Sequence, residues 1–181
     1  MSQGKGIGGH HLPSMKSDEW LTPPEILEAL GPFDLDPCAA PLPRPWPTAA
    51  KHYNREEDGL VLPWEGRVWC NPPYGKIAGK WLNRMALHAN GIALIFARTE
   101  TEMFFREVWE KAYGVLFIEG RLHFHYPDGT RCKNNSGAPS VLVAYDAASS
   151  YTLHICSIPG MYIDLDHATG GDSGLPPLRK S

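Results

Sequence analysis

The residues best suited to chemistry are Asn71-Pro72-Pro73-Tyr74, directly after the apolar run Val68-Trp69-Cys70. The exocyclic amine of adenine is a poor nucleophile because its lone pair is delocalised into the ring. A site that alkylates it must accept hydrogen bonds from the amino group and draw that lone pair out of conjugation. The side-chain carbonyl of Asn71 is one acceptor, and the backbone carbonyl of Pro72 can be the second. Pro72 and Pro73 stiffen the turn, so both acceptors are positioned before the reaction begins. Tyr74 offers a flat face for a base, and such stacking contributes about 1–3 kcal/mol in single-strand binders. It would suit a nucleotide flipped out of its duplex. The same tetrapeptide also fits a plain proline turn with an exposed tyrosine.

A second cluster is Phe33-Asp34-Leu35-Asp36-Pro37-Cys38-Ala39-Ala40. Small residues after a strand let a ligand approach the backbone, and carboxylates there suit ribose hydroxyls or an ammonium group. Asp34 or Asp36 could equally serve as a cap or turn residue. No Gly-x-Gly loop stands here.

Elements that could position these residues follow from the apolar spacing. Thr22-Pro23-Pro24-Glu25 reads as a capping box opening a helix that carries Ile26, Leu27 and Leu30 and stops at Gly31. Phe33–Asp36 reads as a short strand, the proline-rich 37–47 as loop, Lys51–Asp58 as holding a helical turn, and Arg67–Cys70 as a buried strand. Ile77, Trp81, Leu82, Met85 and Ala89 share a helical face closed by Gly91, and Ile92–Phe96 is a continuous apolar strand. Thr99 with Glu102 opens a helix through Phe104, Phe105, Val108 and Trp109 that ends at Gly114. Val115–Ile118, Arg121–Tyr126 and Ser140–Tyr145 read as strands. This order predicts an α/β sheet finishing in a hairpin, with both chemistry-bearing motifs at strand ends, where ligands of such sheets bind.

Composition bounds the rest. A chain of 181 residues with 43% apolar content suits one domain, expected over 18–163 between a flexible leader (1–17) and tail (164–181). No apolar run approaches the roughly 20 residues of a membrane span, and the first residues do not read as a signal peptide, so a cytoplasmic setting is expected. Cys38, Cys70, Cys132 and Cys156 form no CxxC, and the eight histidines lack ligand spacing, so no metal is expected. The net charge of −3 means that any nucleic acid must be met by a local basic face. Lys76, Lys80 and Arg84 follow the Asn-Pro-Pro-Tyr turn, Arg98, Arg121, Arg131 and Lys133 lie later, and Asp128–Gly137 could read a groove; solvated surface charge is the alternative.

In order along residues 18 to 145, several segments resemble the phage-type DNA N6-adenine methyltransferases, the phage Dam family. They are Trp20-Leu21-Thr22-Pro23, Phe33 to Ala39, Asp58-Gly59-Leu60, Trp64, Val68 to Gly75, Ala97-Arg98-Thr99-Glu100-Thr101 and Glu119 to Phe124. The resemblance implies a compact Rossmann-like sheet with helices on both faces, S-adenosylmethionine as methyl donor, and double-stranded DNA as partner. It implies no membrane and no obligate protein partner, and a host-cell cytoplasmic site if phage-encoded. By the same resemblance, Asn71, Pro72, Pro73 and Tyr74 are catalytic. Thr22 and Pro23 meet the methionine end of the donor, Asp36, Pro37 and Cys38 form its first loop, and Asp58 accepts from its adenine amine. Glu56 and Glu57 are candidates for the ribose. Phe124 is expected as a second stacking wall, with Lys76 and Arg121 on DNA. N4-cytosine or protein-glutamine methylation, or a catalytically silent binding module of the same fold, remain alternatives.

Overall fold

The computed structural model describes residues 20–165, so the expected leader and all but the first two residues of the expected tail lie outside the described residues. Seven strands make one sheet: β1 (Leu35–Asp36), β2 (Lys51–His52), β3 (Val68–Cys70), β4 (Gly91–Phe96), β5 (Gly114–Ile118), β6 (Ser140–Ala144) and β7 (Gly160–Asp164). Their order across the sheet is β2-β1-β3-β4-β6-β5-β7. The first four are mutually parallel, β6 runs antiparallel between β4 and β5, and β7 is antiparallel outside β5.

Both faces of the sheet are covered, because its central strands carry apolar side chains on alternate residues pointing each way. On one face Val68, Cys70, Ala93, Ile95, Val115, Val141 and Val143 pack with Trp81, Leu82 and Met85 of α2 (Ala78–His88), and with Phe104 and Val108. Phe104 closes α3 (Glu102–Phe104), and Val108 lies in the π-helical turn Phe105–Trp109 that continues it. On the opposite face Trp69, Ile92, Leu94, Leu116, Leu142 and Ala144 meet Ile26 and Leu30 of α1 (Pro24–Leu30) and Leu153 of α4 (Ala147–Ile155).

Several local expectations change. Thr22 does not cap α1; Pro23 occupies the cap position without a side-chain hydrogen bond, leaving the Thr22 hydroxyl for another partner. Lys51-His52 form an edge strand on β1, and the expected turn follows at 54–57, where Asn54 Oδ1 accepts from the Glu56 amide and Glu57 reaches back to the Asn54 amide. Ala89, at φ 53, takes the left-handed position ending α2, and Gly91 starts β4. Thr101 rather than Thr99 caps α3, accepting from the Phe104 amide, and Gly114 opens β5 instead of ending a helix. Residues 121–126 are not a regular strand. Instead His125 bridges to Leu21 and to Arg131, so this segment straps the start of α1. After β6 the chain adds α4 and β7, making an antiparallel group β6-β5-β7.

Gly91 of β4 pairs with Val68 of β3 and lies tight against its backbone. Its φ is 146, and a Cβ there would lie 2.1 Å from the Val68 carbonyl oxygen. Gly91→Ala must therefore strain the backbone and part the two strands. It should lower stability by about 2 kcal/mol or more in urea unfolding, whereas Gly120→Ala, with open space around its Cβ, should lose less.

Candidate active site

The chain leaves β1 for β2 on one side, while β3 lies on the other, so the carboxyl ends of β1 and β3 flank a topological switch point. Asp36 ends β1, and Asn71 immediately follows β3. The two motifs, 35 residues apart in sequence, are thereby brought to neighbouring strand ends.

Asn71 is aimed by its amide. Its Nδ2 donates to Thr22 Oγ1 at 3.4 Å, while its Oδ1 is buried without a hydrogen-bond partner. Leaving a buried carbonyl unpaired costs about 1–3 kcal/mol, which a donor placed there would recover. Thr22 is itself fixed: it is buried, its carbonyl accepts from Trp46 Nε1 at 3.1 Å, and neighbouring Leu21 exchanges backbone hydrogen bonds with His125 at 3.0 and 3.1 Å. The His125 ring stands edge-on to Trp46, with centroids 5.1 Å apart.

Pro72 is buried and Pro73 exposed; Tyr74 then folds back so that its ring stacks on Phe96, the last residue of β4. The centroids are 4.1 Å apart and the planes 2° from parallel. Burial pushes the Tyr74 phenol above its ordinary range, so the ring is a neutral aromatic surface. Phe96 was legible in the sequence only as the end of a core strand. Its one distinguishing signal is an aromatic at the carboxyl end of the strand following Asn-Pro-Pro-Tyr.

The β1 end carries a buried carboxylate. Asp36 is 3% exposed; it accepts from the Thr48 hydroxyl and, at 3.0 Å, from the Cys38 amide. Burial raises its carboxyl to about 6, opposed by these two hydrogen bonds and by Arg44. Thr48 escaped sequence reading because it lies in the proline-rich loop with no local motif. Asp58 is exposed at φ 48, its carboxylate accepting from the Leu60 amide at 3.2 Å. The next residue, Gly59, lies so close to Pro37 that a Cβ would stand 1.8 Å from the Pro37 carbonyl oxygen. The Asp58-Gly59 turn is thus seated against the Asp36-Pro37-Cys38 loop, and a Cβ at 59 would pry them apart.

The remaining candidates are dispersed. Phe124 is 6% exposed in the core on the α1 and α4 face, so the ring stacked on Tyr74 is that of Phe96. Lys76 and Arg121 are exposed, as are Lys80, Arg131 and Lys133. Arg84 is committed internally: its guanidinium donates to the carbonyls of Leu60 and Leu62 and lies 4.8 Å above the Trp64 ring. Glu57 turns back on Asn54. An open groove of about 550 Å³ along α2, lined by Trp64, Arg84 and His88 among others, shares no residue with the two strand ends. Among the described residues no group of three or more His, Cys, Asp or Glu could hold a metal.

A family model described as DNA N-6-adenine-methyltransferase (Dam) matches residues 9–162. It covers most of the 181 residues, and the chain belongs to this family of DNA N6-adenine methyltransferases. No curated protein and no solved structure matches the chain.

The raised Asp36 carboxyl has a thermodynamic consequence. Ionising at about 6 when folded and near 3.8 when free, it holds its proton longer in the folded state. Stability therefore falls as pH rises through that window. Asp36→Asn removes the cost of the buried charge. Its stability relative to wild type, from urea unfolding, should rise by about 2 kcal/mol between about pH 4.5 and about pH 8.

Proposed function

We propose that the protein transfers a methyl group from S-adenosylmethionine to N6 of an adenine flipped out of double-stranded DNA, with Asn71, Pro72, Pro73 and Tyr74 as the catalytic loop. The observation that carries this reading is the buried, unpartnered Asn71 Oδ1, held by Thr22 in the same loop as the stacked Tyr74 ring. An acceptor in that state lacks only a donor, and an amino group supplies one.

The donor residues fit the cofactor chemically. A buried carboxylate raised by desolvation gains from any ammonium or hydroxyl brought to it, which suits Asp36 to the donor's polar end. Thr22 and Pro23 border the methionine end, Pro37, against which Gly59 is seated, and Cys38 form the first cofactor loop, and Asp58 offers an accepting carboxylate to the adenine amine. S-adenosylmethionine supplies an electrophilic methyl group when bound.

The chain's own residues act on the nucleophile. The adenine amine donates one hydrogen to Asn71 Oδ1 and one to the Pro72 carbonyl, which localises its lone pair on N6. Tyr74 holds the base by stacking, with Phe96 bracing the opposite face of its ring. As the N–C bond forms, positive charge develops on N6 against these two acceptors, and the surplus proton passes to water. No protein nucleophile and no strong base are required. Lys76 and Arg121, exposed and cationic, serve the DNA backbone. Phe124, whose ring packs in the core with the α1 and α4 residues, is a secondary candidate for base contact.

Nucleoside mass spectrometry of unmethylated DNA incubated with protein and S-adenosylmethionine tests this directly. N6-methyladenine is expected, and Asn71→Ala should reduce its formation by about 100- to 1,000-fold, the loss typical of a transition-state hydrogen bond. Methylcytosine in the DNA, or methylglutamine in an added protein, would move the substrate to one of those acceptors. A protein that binds DNA but yields no methylated product would be the silent module.

A further inference from the structure

Two of the four cysteines meet between the candidate cofactor loop and the catalytic loop. Cys38 Sγ lies 3.7 Å from Cys70 Sγ. Cys70 ends β3 and is fully buried, immediately before Asn71; Cys38 is half-buried, two residues after Asp36. The pair is bonded to both motifs. The Cys38 amide donates to Asp36 Oδ1 at 3.0 Å, and Cys70 directly precedes Asn71 in the chain. The other two cysteines are placed differently: Cys132 is buried in the strap, and Cys156 points to the Leu153 carbonyl at the end of α4.

We propose that Cys38 and Cys70 form a dithiol modification site that reacts with small-molecule disulfides and closes into an intramolecular bond, shutting off the cofactor loop. The half-buried Cys38 is the entry point. Its thiolate attacks one sulfur of a disulfide such as oxidised glutathione, and the thiolate expelled takes up the proton that Cys38 gave up. Cys70, losing its proton in turn, attacks Cys38 Sγ, forms the Cys38–Cys70 bond and releases the second small thiol. Two protein thiols are oxidised and one disulfide is reduced to two thiols, so electrons and protons balance. The contact with Cys70 first, and burial second, hold the Cys38 thiol well above its ordinary range, so its thiolate is scarce near neutral pH and the exchange with a disulfide is slow.

Closure has a directional effect. A disulfide needs its sulfurs about 2.05 Å apart, so the present 3.7 Å must shorten. Cys70 is locked in β3, in register with Ala93 of β4. The movement therefore falls on the loop at Cys38, disturbing the hydrogen bond from its amide to Asp36 Oδ1. The consequence for the cofactor rests on the function proposed above; formation of the bond does not.

The test is to treat the folded protein with oxidised glutathione and record intact mass, a non-reducing peptide map and the thermal shift given by S-adenosylmethionine. The expected product is lighter by two hydrogens and links the Cys38 and Cys70 peptides. Its cofactor affinity should be at least about tenfold weaker, and dithiothreitol should restore it. Cys70→Ala, which lacks the resolving thiol, should instead stop at the mixed adduct, gaining the mass of one glutathione on the Cys38 peptide, whereas in the wild-type protein the adduct gives way to the internal link. In the wild-type protein, mixed glutathione adducts without an internal link, a link between other cysteines, or a linked protein with unchanged cofactor affinity would each overturn the proposal. If reduced protein gave no cofactor shift, the cofactor reading would fail, and the peptide map alone would uphold or overturn the dithiol.

Discussion

The hydrogen bond from Asn71 Nδ2 to Thr22 Oγ1 is the constraint on which the site depends. An asparagine side chain at the end of a strand has two rotatable bonds and four hydrogen-bonding positions, and it aims a carbonyl only if its amide is held elsewhere. Thr22 does the holding, and Thr22 is in turn fixed by Trp46 and by the backbone pair of Leu21 with His125. The local cost is that α1 has no side-chain cap: Pro23 holds the cap position, and the Thr22 hydroxyl bonds across the end of the sheet. Contacts from residues as far apart as Leu21 and His125 thus converge to orient one carbonyl.

The sheet supplies the rest by topology. Continuous apolar strands β3, β4 and β6 bury both faces, so the parallel strand ends are rigid and their backbones need no further partners. At the switch point the polar groups are left in tension. Asp36 is buried as a carboxylate with its carboxyl raised to about 6, and Asn71 Oδ1 has no partner at all. Each is unfavourable for folding alone, and a ligand donor placed against it would offset that cost. Local departures from good packing at functional positions are the expected compromise. The 44–48 stretch ties the two together, with Trp46 on Thr22 and Thr48 on Asp36, so the proline-rich loop braces the candidate cofactor and catalytic loops.

The sequence displayed the central architecture because its signals are periodic or local. The apolar runs of β3, β4, β5 and β6 and the helical face of α2 stand almost where their spacing puts them. Misreadings arose where long-range contacts overrode local preference. Thr22 has the spacing of a cap but bonds to Asn71; Lys51-His52 is too short and polar to read as a strand, yet pairs with β1. Arg121–Tyr126 alternates like a strand, but finds only isolated bridges to Leu21 and Arg131 through His125. Phe96 and Thr48 were invisible as site residues because their partners, Tyr74 and Asp36, are distant in sequence. By contrast, Asn-Pro-Pro-Tyr and Asp-Pro-Cys are contiguous, and their chemistry could be read directly.

The central claim is that Asn71 Oδ1 accepts from the amine of the target base. The measurement that tests it most directly is a binding cycle at the methylated position, comparing adenine with purine, which lacks the amine, in both wild type and Asn71→Ala. If the bond forms, removing the amine should weaken binding to wild type by about 1–2 kcal/mol, with little further effect in Asn71→Ala. Equal losses in both proteins would show that the amine finds its partner elsewhere and would contradict the account.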